Sequence, residues 1–520
     1  MGGSKIMTLY RTLRYLKPIQ LVYRGKQVFY QFFPVKVKWD GYRDIAGNDL
    51  FFEDSIPFTD SYNNSNSTFS FLNLSHSFSS GIDWNWLDYG RLWTYNLNYF
   101  EFLNQENCSK EDGVALIDDF LRQLPFCSIG LEPYPLSLRC VNWIRFFMRH
   151  KLKNKRYDSI LFQQLDLLTH RLEYHLLGNH LLENGFALLF GAYYFANCDF
   201  YKKAKLILLP EMEEQTLADG ANFELSPMYH CIMLLRMLDC YNLVKYNPSF
   251  SKELLPIFER KCSDMLGWLN TIIFDNGDIP LFNDAAFNIS PNAASLFDYA
   301  NRLGLSYGKK KLADSGYRKF TDGRFEVIID VAKIGPDYQP GHAHADTFNF
   351  ELHINNRPVI VDTGTSTYEV NQTRFYERST AAHNTVVVDC ANSSEVWAGH
   401  RVGRRAHVSI LEETTDRLVA VHDGYASKKL KHIRSFEMKD GGYTILDDIA
   451  SEAVAYLHFH PSESIKLDKE GIVGFDYYIK FIGADSIELF DSYYALEFNK
   501  KIPSVGVRVY FKNKLQTIFK

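Results

Sequence analysis

From about Trp93 to Leu312 the apolar positions recur at i, i+3 and i+4, the period of helices with one buried face. The segments Val114–Leu124, Leu138–Arg149, Ile160–Leu177, Leu181–Phe195, Lys203–Ala218, Tyr229–Val244 and Leu254–Thr271 carry it, joined by short polar, Gly, Asn or Pro connections. Antiparallel helical hairpins of similar length predict an (α/α) toroid or a solenoid. After Ser315 the period drops to that of strands: 325–331, 348–354, 359–361, 385–389, 418–421, 443–446, 478–482 and 505–511 are β-branched or aromatic, with Asn355-Asn356, Asp440-Gly441-Gly442 and Glu470-Gly471 as turns. Helices followed by strands predict an α+β multidomain chain with separate all-α and all-β domains. The expected units are residues 1–90, 91–315 and 316–520. In the first, residues 1–45 are basic and aromatic and predict one amphipathic helix with an extended lead-in. Residues 46–90 are rich in Asn, Ser, Asp and Phe and predict irregular or short-stranded structure.

The length of 520 residues exceeds one hydrophobic core, and 46% hydrophobic with 23% charged residues describes a globular chain. Aromatics at 15% leave rings over for stacking on sugars. A net charge of −5 argues against a general nucleic-acid binder but permits a basic cleft for a polyanion. The 8 cysteines form no CxxC pair, and most sit in apolar helical contexts as free thiols. Met1 to Lys17 lacks the uninterrupted apolar run of a signal peptide, and no window is long enough for a membrane span. The expected location is cytoplasmic, or reached by an export route not visible in these residues. The sequence does not specify an oligomeric state.

Chemistry concentrates in Gly341-His342-Ala343-His344-Ala345-Asp346, Asp362-Thr363-Gly364 and Ala381-Ala382-His383-Asn384. Two imidazoles and a carboxylate, His344, Asp362 and His383, suit Zn²⁺ or Mn²⁺. On a strand His342 and His344 would share a face, one for a metal and one for substrate. Spacing alone leaves strand-end histidines and a turn aspartate equally open. Asn179, His180 and Glu183 share a helix start, where Asn179 is otherwise only a cap. Ser226-Pro227 reads as a cap and first turn that projects Tyr229, otherwise a half-buried aromatic. Arg139, Asn142 and Trp143 offer a cation, an amide and an aromatic plate on neighbouring helical positions, or a buried structural arginine. Tyr368 with Arg374, Tyr376 and Arg378 is either a second polar cluster or a solvated loop.

These motifs, together with Phe282-Asn283-Asp284, resemble those of the heparinase II/III-like polysaccharide lyases over roughly residues 90–460. The resemblance implies an (α/α) toroid and a C-terminal antiparallel β-sandwich with the active cleft between them, and β-elimination on uronic-acid-containing polysaccharide. It implies Asn179 and His180 as neutralisers of the uronate carboxylate, Tyr229 as general acid, His342 as base or neutraliser, and Tyr368 as a second base candidate. A tyrosine base would need nearby positive charge to lower its pKa. The expected substrate-binding residues are Arg139, Asn142, Trp143, Asp284, Arg378 and Arg401, with Arg404 and Arg405 as further basic residues near an acidic glycan. One divalent ion on His344, Asp362 and His383 is expected to order the loops that carry His342, not to act as a Lewis acid. Heparan sulfate, chondroitin sulfate and hyaluronan are the leading substrates and alginate or a bacterial exopolysaccharide the runner-up. A non-catalytic glycan-binding scaffold and a metal-dependent hydrolase with Asp346 as base are the competing classes.

Overall fold

The computed structural model describes residues 2–32, 39, 43–250, 252–439 and 441–520. The extended lead-in expected before residue 45 and Asp440 of the predicted turn fall wholly or partly outside that set.

The helical part runs through Lys110–Gln123, Pro133–Arg149, Lys155–His170, Gly178–Phe195, Cys198–Gln215, Pro227–Tyr246, Leu254–Ile272 and Ala293–Arg302. Capping explains several of the starts. Ser109, Asn154, Asn197, Ser226 and Asn292 each accept a first-turn backbone N–H on their side chains. The helix predicted over Ile160–Leu177 stops at His170. The N–H groups of Leu176 and Leu177 fold back onto Glu173 O, at 2.9 Å each, and the Glu173 N–H donates to Asn184 Oδ1 at 2.9 Å. This turn sets Leu177 at φ 62 and starts the Gly178 helix in a new direction.

The sheet-rich part holds two antiparallel sheets. One contains Tyr317–Asp322, Phe325–Asp330, Phe350–Ile354 and Arg357–Ile360 in chain order. The other is built around the long strands Gly442–His458, Lys500–Phe519 and Tyr478–Glu497, hydrogen-bonded side by side in that order. Val327, Ile329, Phe350 and Leu352 of the first sheet share a core with Phe436, Leu457, Val507, Val509 and Phe519 of the second. Neighbouring Ile328 points the opposite way and joins the helical core with Leu281 and Trp268. The Phe325 strand is therefore buried on both faces, which a strand achieves only when layers cover both sides. This fixes the seam between helices and sheets, and the loops at that seam carry the chemistry.

Residues 1–90 do not stand apart. Two helices, Gly2–Leu13 and Pro18–Phe32, lie in the stretch where one was expected, and short strands occur at Tyr62–Asn63, Thr68–Phe71 and Leu74–Ser77. Phe69, Phe71 and Trp84 are part of the helical core.

Candidate active site

The seam is organised by one buried carboxylate. Asp284, in the loop after the Leu254 helix, accepts from His342 Nδ1 at 2.9 Å, His344 Nε2 at 2.8 Å and Arg374 Nη2 at 2.7 Å, with Arg374 Nη1 on its other oxygen. Burial alone would raise its pKa, but the Arg374 charge and the histidine hydrogen bonds hold it well below the usual carboxylate range. Asp284 was expected to bind substrate; its oxygens are instead taken up by the protein. The expectation that His342 and His344 lie on a strand is also corrected. Residues 341–346 form a loop, and the two rings meet the same carboxylate from different positions.

This arrangement fixes both tautomers. A carboxylate can only accept, so His342 carries its proton on Nδ1 and His344 on Nε2. With Nδ1 bonded to Asp284, His342 turns Nε2 toward Glu224, 3.9 Å away. Its ring lies against Tyr229, with centroids 4.0 Å apart. The Ser226 cap places Tyr229: Ser226 Oγ accepts from Tyr229 N–H at 3.3 Å and donates to Asp284 O at 2.6 Å. Tyr229 and Tyr368 share a hydrogen bond between their hydroxyls at 3.1 Å.

Beyond Tyr229 a cleft is lined by Tyr134, Asn179, Glu183, Asn222, Glu224 and Met233. Among the described residues, Asn179 Oδ1, Glu183 Oε2 and both carboxyl oxygens of Glu224 are buried without hydrogen-bond partners. Buried polar groups are ordinarily satisfied, so this concentration marks a surface shaped for a polar ligand. Burial raises the Glu224 pKa against the pull of His342 and His180. Burial also pushes Glu183 up to about 7, because its counter-cation Arg236 is shared with Glu101. His180 donates from Nδ1 to Glu173 at 3.1 Å, and that charge overcomes burial and raises the His180 pKa.

Burial pushes both tyrosines well above the ordinary value: next in weight come neighbouring Tyr368 for Tyr229 and the Asp284 charge for Tyr368. The positive charge that would make a tyrosine base is present in Arg374, but Asp284 neutralises it. Both phenols are therefore arranged to keep their protons.

Several predicted binding residues are not brought to the cleft. Arg139, Asn142 and Trp143 are fully buried in the helical core. Arg139 donates to the carbonyls of Gly130 at 2.8 Å and Asn98 at 3.2 Å and to Gln164 Oε1 at 2.7 Å, and Asn142 donates to Tyr99 O. Arg378 is buried on the carbonyls of Ala343, Ala398 and Arg401. Arg404 is spent on the carbonyls of Asn392, Ser393 and Gly424, and Arg405 on Asp337. Of these arginines Arg401 is exposed, its guanidinium 5.5 Å from the Trp397 ring centroid. The expected basic cleft is thus an acidic one. Sequence reasoning missed Glu224, Arg374 as partner of Asp284, and His400, whose ring lies 5.1 Å from Tyr368.

His344, Asp362 and His383 do come close together. The His344 and His383 centroids are 5.3 Å apart, and His383 Nδ1 donates to Asp362 Oδ2 at 2.7 Å. Asp362 also accepts from Asn349 Nδ2 at 2.6 Å and Gly364 N–H at 2.8 Å. The remaining ring nitrogens, His344 Nδ1 and His383 Nε2, are buried without partners, as is Asp346 Oδ2. Unprotonated imidazole nitrogens facing no donor are what a divalent ion requires, so the donor chemistry fits one. Among the described residues, Asp284, His342 and His400 form the group whose ligand atoms all lie within 4.8 Å of one another, a possible metal triad by spacing. Arg374 already places a cation on that carboxylate, which opposes a second.

Solved structures share this arrangement of a helical part joined to antiparallel sheets. The crystal structure titled heparinase III superposes with a TM-score of 0.66 at 15% identity, covering 96% of this chain and 90% of that one. Heparan sulfate lyase HepC from Pedobacter heparinus gives 0.58 at 18% identity, covering 86% and 79%. The family models "Heparinase II/III N-terminus" and "Heparinase II/III-like, C-terminal" match residues 142–302 and 305–506, and the chain belongs to the heparinase II/III-like family. It is 25% identical over 316 residues to a heparin-sulfate lyase of Bacteroides stercoris, covering 54% of this chain and 45% of the relative. It is 27% identical over 211 residues to one of Pedobacter heparinus, covering 36% and 31%. The matches span less than half the length of these curated relatives.

Proposed function

We propose that this chain is a polysaccharide lyase that cleaves uronic-acid-containing glycosaminoglycan by β-elimination, with heparan sulfate as its first substrate. The observation that carries this reading is the close Tyr229–His342 ring pair at the end of a cleft of unpartnered amide and carboxyl groups. The names of the curated relatives support heparan sulfate within the glycosaminoglycans.

The chemistry follows from the protonation states. The C5–H bond of the uronate breaks, its proton passing to His342 Nε2. The electron pair becomes the C4–C5 double bond as the C4–O4 bond breaks, and O4 takes the Tyr229 proton. The Tyr368 hydroxyl, hydrogen-bonded to Tyr229, is placed to restore it. Charge develops on the uronate carboxylate, so that group must be neutralised. The Asn179 amide serves this purpose, with His180 beside it and with Glu183 and Glu224, whose carboxyls burial shifts toward the protonated form. A carboxyl raised by burial donates a hydrogen bond where an ionised one would repel. Binding is therefore expected to weaken as pH rises through about 7, where Glu183 ionises. KM for the polymer should increase about tenfold for a charge appearing at this range, and Glu183→Gln should flatten that rise. A KM independent of pH in the wild type would remove Glu183 from this role.

The finer metal assignment belongs to the same reading: one divalent ion, Zn²⁺ or Mn²⁺, on His344, Asp362 and His383, with Asp346 nearby. When bound, the ion supplies a cross-link that holds loop 341–346, and hence His342, against the sandwich. Elemental analysis should find one ion per chain in the wild type and none in His344→Ala or His383→Ala. Unchanged metal content in both variants would refute the site.

The substrate is tested by size-exclusion of heparan sulfate, chondroitin sulfate, hyaluronan and alginate after incubation with the protein. Heparan sulfate should shorten fastest. Shortening of alginate alone would replace the polymer, and no shortening of any would overturn the reading.

A further inference from the structure

The helices Gly2–Leu13 and Pro18–Phe32 are built inside out. Ile6, Leu9, Tyr10 and Leu13 follow i, i+3, i+4, i+7 spacing and form one stripe, the pattern a helix ordinarily turns to its core. Here that stripe faces solvent, Ile6 being 70% and Tyr10 64% exposed. The opposite face is the one docked. Thr8 and Arg11 bond Glu395, and Trp397 Nε1 donates to Thr12 Oγ1 at 3.1 Å. The second helix repeats the arrangement. Leu21, Val28 and Phe32 are exposed on one side, Phe32 at 75%, with Val22 beside them. Gln20 Nε2 donates to Leu176 O at 3.2 Å on the other side. Lys17 between the helices pairs with Glu214 and lies 4.1 Å over the Tyr338 ring, while Arg405 lies 3.8 Å over Tyr15. Polar contacts and the Tyr23–Tyr174 ring contact thus hold the pair onto the body and leave exposed apolar stripes on both helices, the mark of an interaction surface.

Charge selects the occupant. The first 39 residues contain eight lysines and arginines and no aspartate or glutamate. Arg14 and Lys26 are exposed beside the two stripes. A second copy packed face to face would bring like charges together and gain no counter-charge from the same segment. A polyanionic glycan would satisfy the cations but leave the apolar stripes in water. An anionic lipid surface satisfies both, taking the apolar side chains below the headgroups and the cations at their level. Among the described residues no helix is long and apolar enough to cross a membrane, so the pair would lie in the plane of the interface.

We propose that Gly2–Leu13 and Pro18–Phe32 dock the protein on an anionic lipid bilayer. The test is flotation of the full chain with vesicles of phosphatidylcholine alone and of phosphatidylcholine with phosphatidylglycerol in equal parts. The protein should float with the mixed vesicles, remain behind with the neutral ones, and be released by added salt. Leu13→Asp with Val28→Asp should cut the floated fraction by about tenfold or more. These positions are solvent-exposed, so circular dichroism, the unfolding midpoint and activity on soluble polymer should stay as in the wild type. Failure to float with mixed vesicles, or equal flotation with both kinds, would overturn the proposal. So would a wild-type dimer in sedimentation equilibrium that the double variant dissociates, which would assign the face to a second copy.

Discussion

Tyr229→Phe is expected to lower kcat by about 10²–10⁴-fold, the usual contribution of a positioned proton donor, with little change in KM. The substitution removes one hydroxyl and keeps the ring that lies against His342. The Ser226 cap, which accepts from the backbone N–H of residue 229, is also untouched. An unchanged unfolding midpoint should therefore accompany the loss. Tyr368→Phe is the informative companion. It removes the hydroxyl bonded to Tyr229 without removing the acid, and should cost less. Near-normal turnover in Tyr229→Phe would take this residue out of the mechanism. A larger loss in Tyr368→Phe than in Tyr229→Phe would exchange their roles.

Asp284→Asn should produce the largest loss of stability, about 3–5 kcal/mol. The carboxylate is fully buried and holds Arg374, itself fully buried, through both of its oxygens. Removing the charge strands a guanidinium with no water to solvate it. It also releases His342 and His344, so activity should fall with stability. Arg374→Met on the Asp284→Asn background should recover part of the stability but not the activity, because the cation is gone while the histidines remain unpositioned. Thermal unfolding of the two single variants and the double variant measures this. An Asp284→Asn midpoint equal to wild type would mean that Asp284 is not the tie between the loops.

Much of the fold was legible because burial on one face leaves a period in the chain. The helices from Lys110 to Ile272 follow the predicted runs to within a few residues at most ends. The strands Gly442–His458, Tyr478–Glu497 and Lys500–Phe519 extend well past the predicted segments, and Tyr317–Asp322, Val408–Glu413 and His432–Lys439 were not predicted. The other exceptions have local causes. The Ile160 run continues apolar past His170, but Glu173 captures the following N–H groups and turns the chain. Gln372–Glu377 is too short to show a period, and it delivers Arg374. The loop 341–346 looked like a strand because its residues alternate, but its histidines bond Asp284 where a strand would have ladder partners.

Within the site, side-chain types were legible and their partners were not. His342 was expected across the cleft from Tyr229, and their ring centroids lie 4.0 Å apart. Arg139 has the same chemistry as a substrate-binding arginine, and only its bonds to the carbonyls of Gly130 and of the more distant Asn98 show it to be structural. Glu224 lies two residues before the Ser226 cap, and the sequence assigns it no role. Its significance is the absence of a hydrogen-bond partner among the described residues, which no sequence displays.

The most direct test of the central claim is the ratio of unsaturated uronate ends, read by ultraviolet absorbance, to new reducing ends during cleavage of heparan sulfate. β-elimination by His342 and Tyr229 predicts one unsaturated end for every reducing end, in the wild type and in the residual activity of any variant. Reducing ends that accumulate without that absorbance would mean that water cleaves the bond, and would contradict the account.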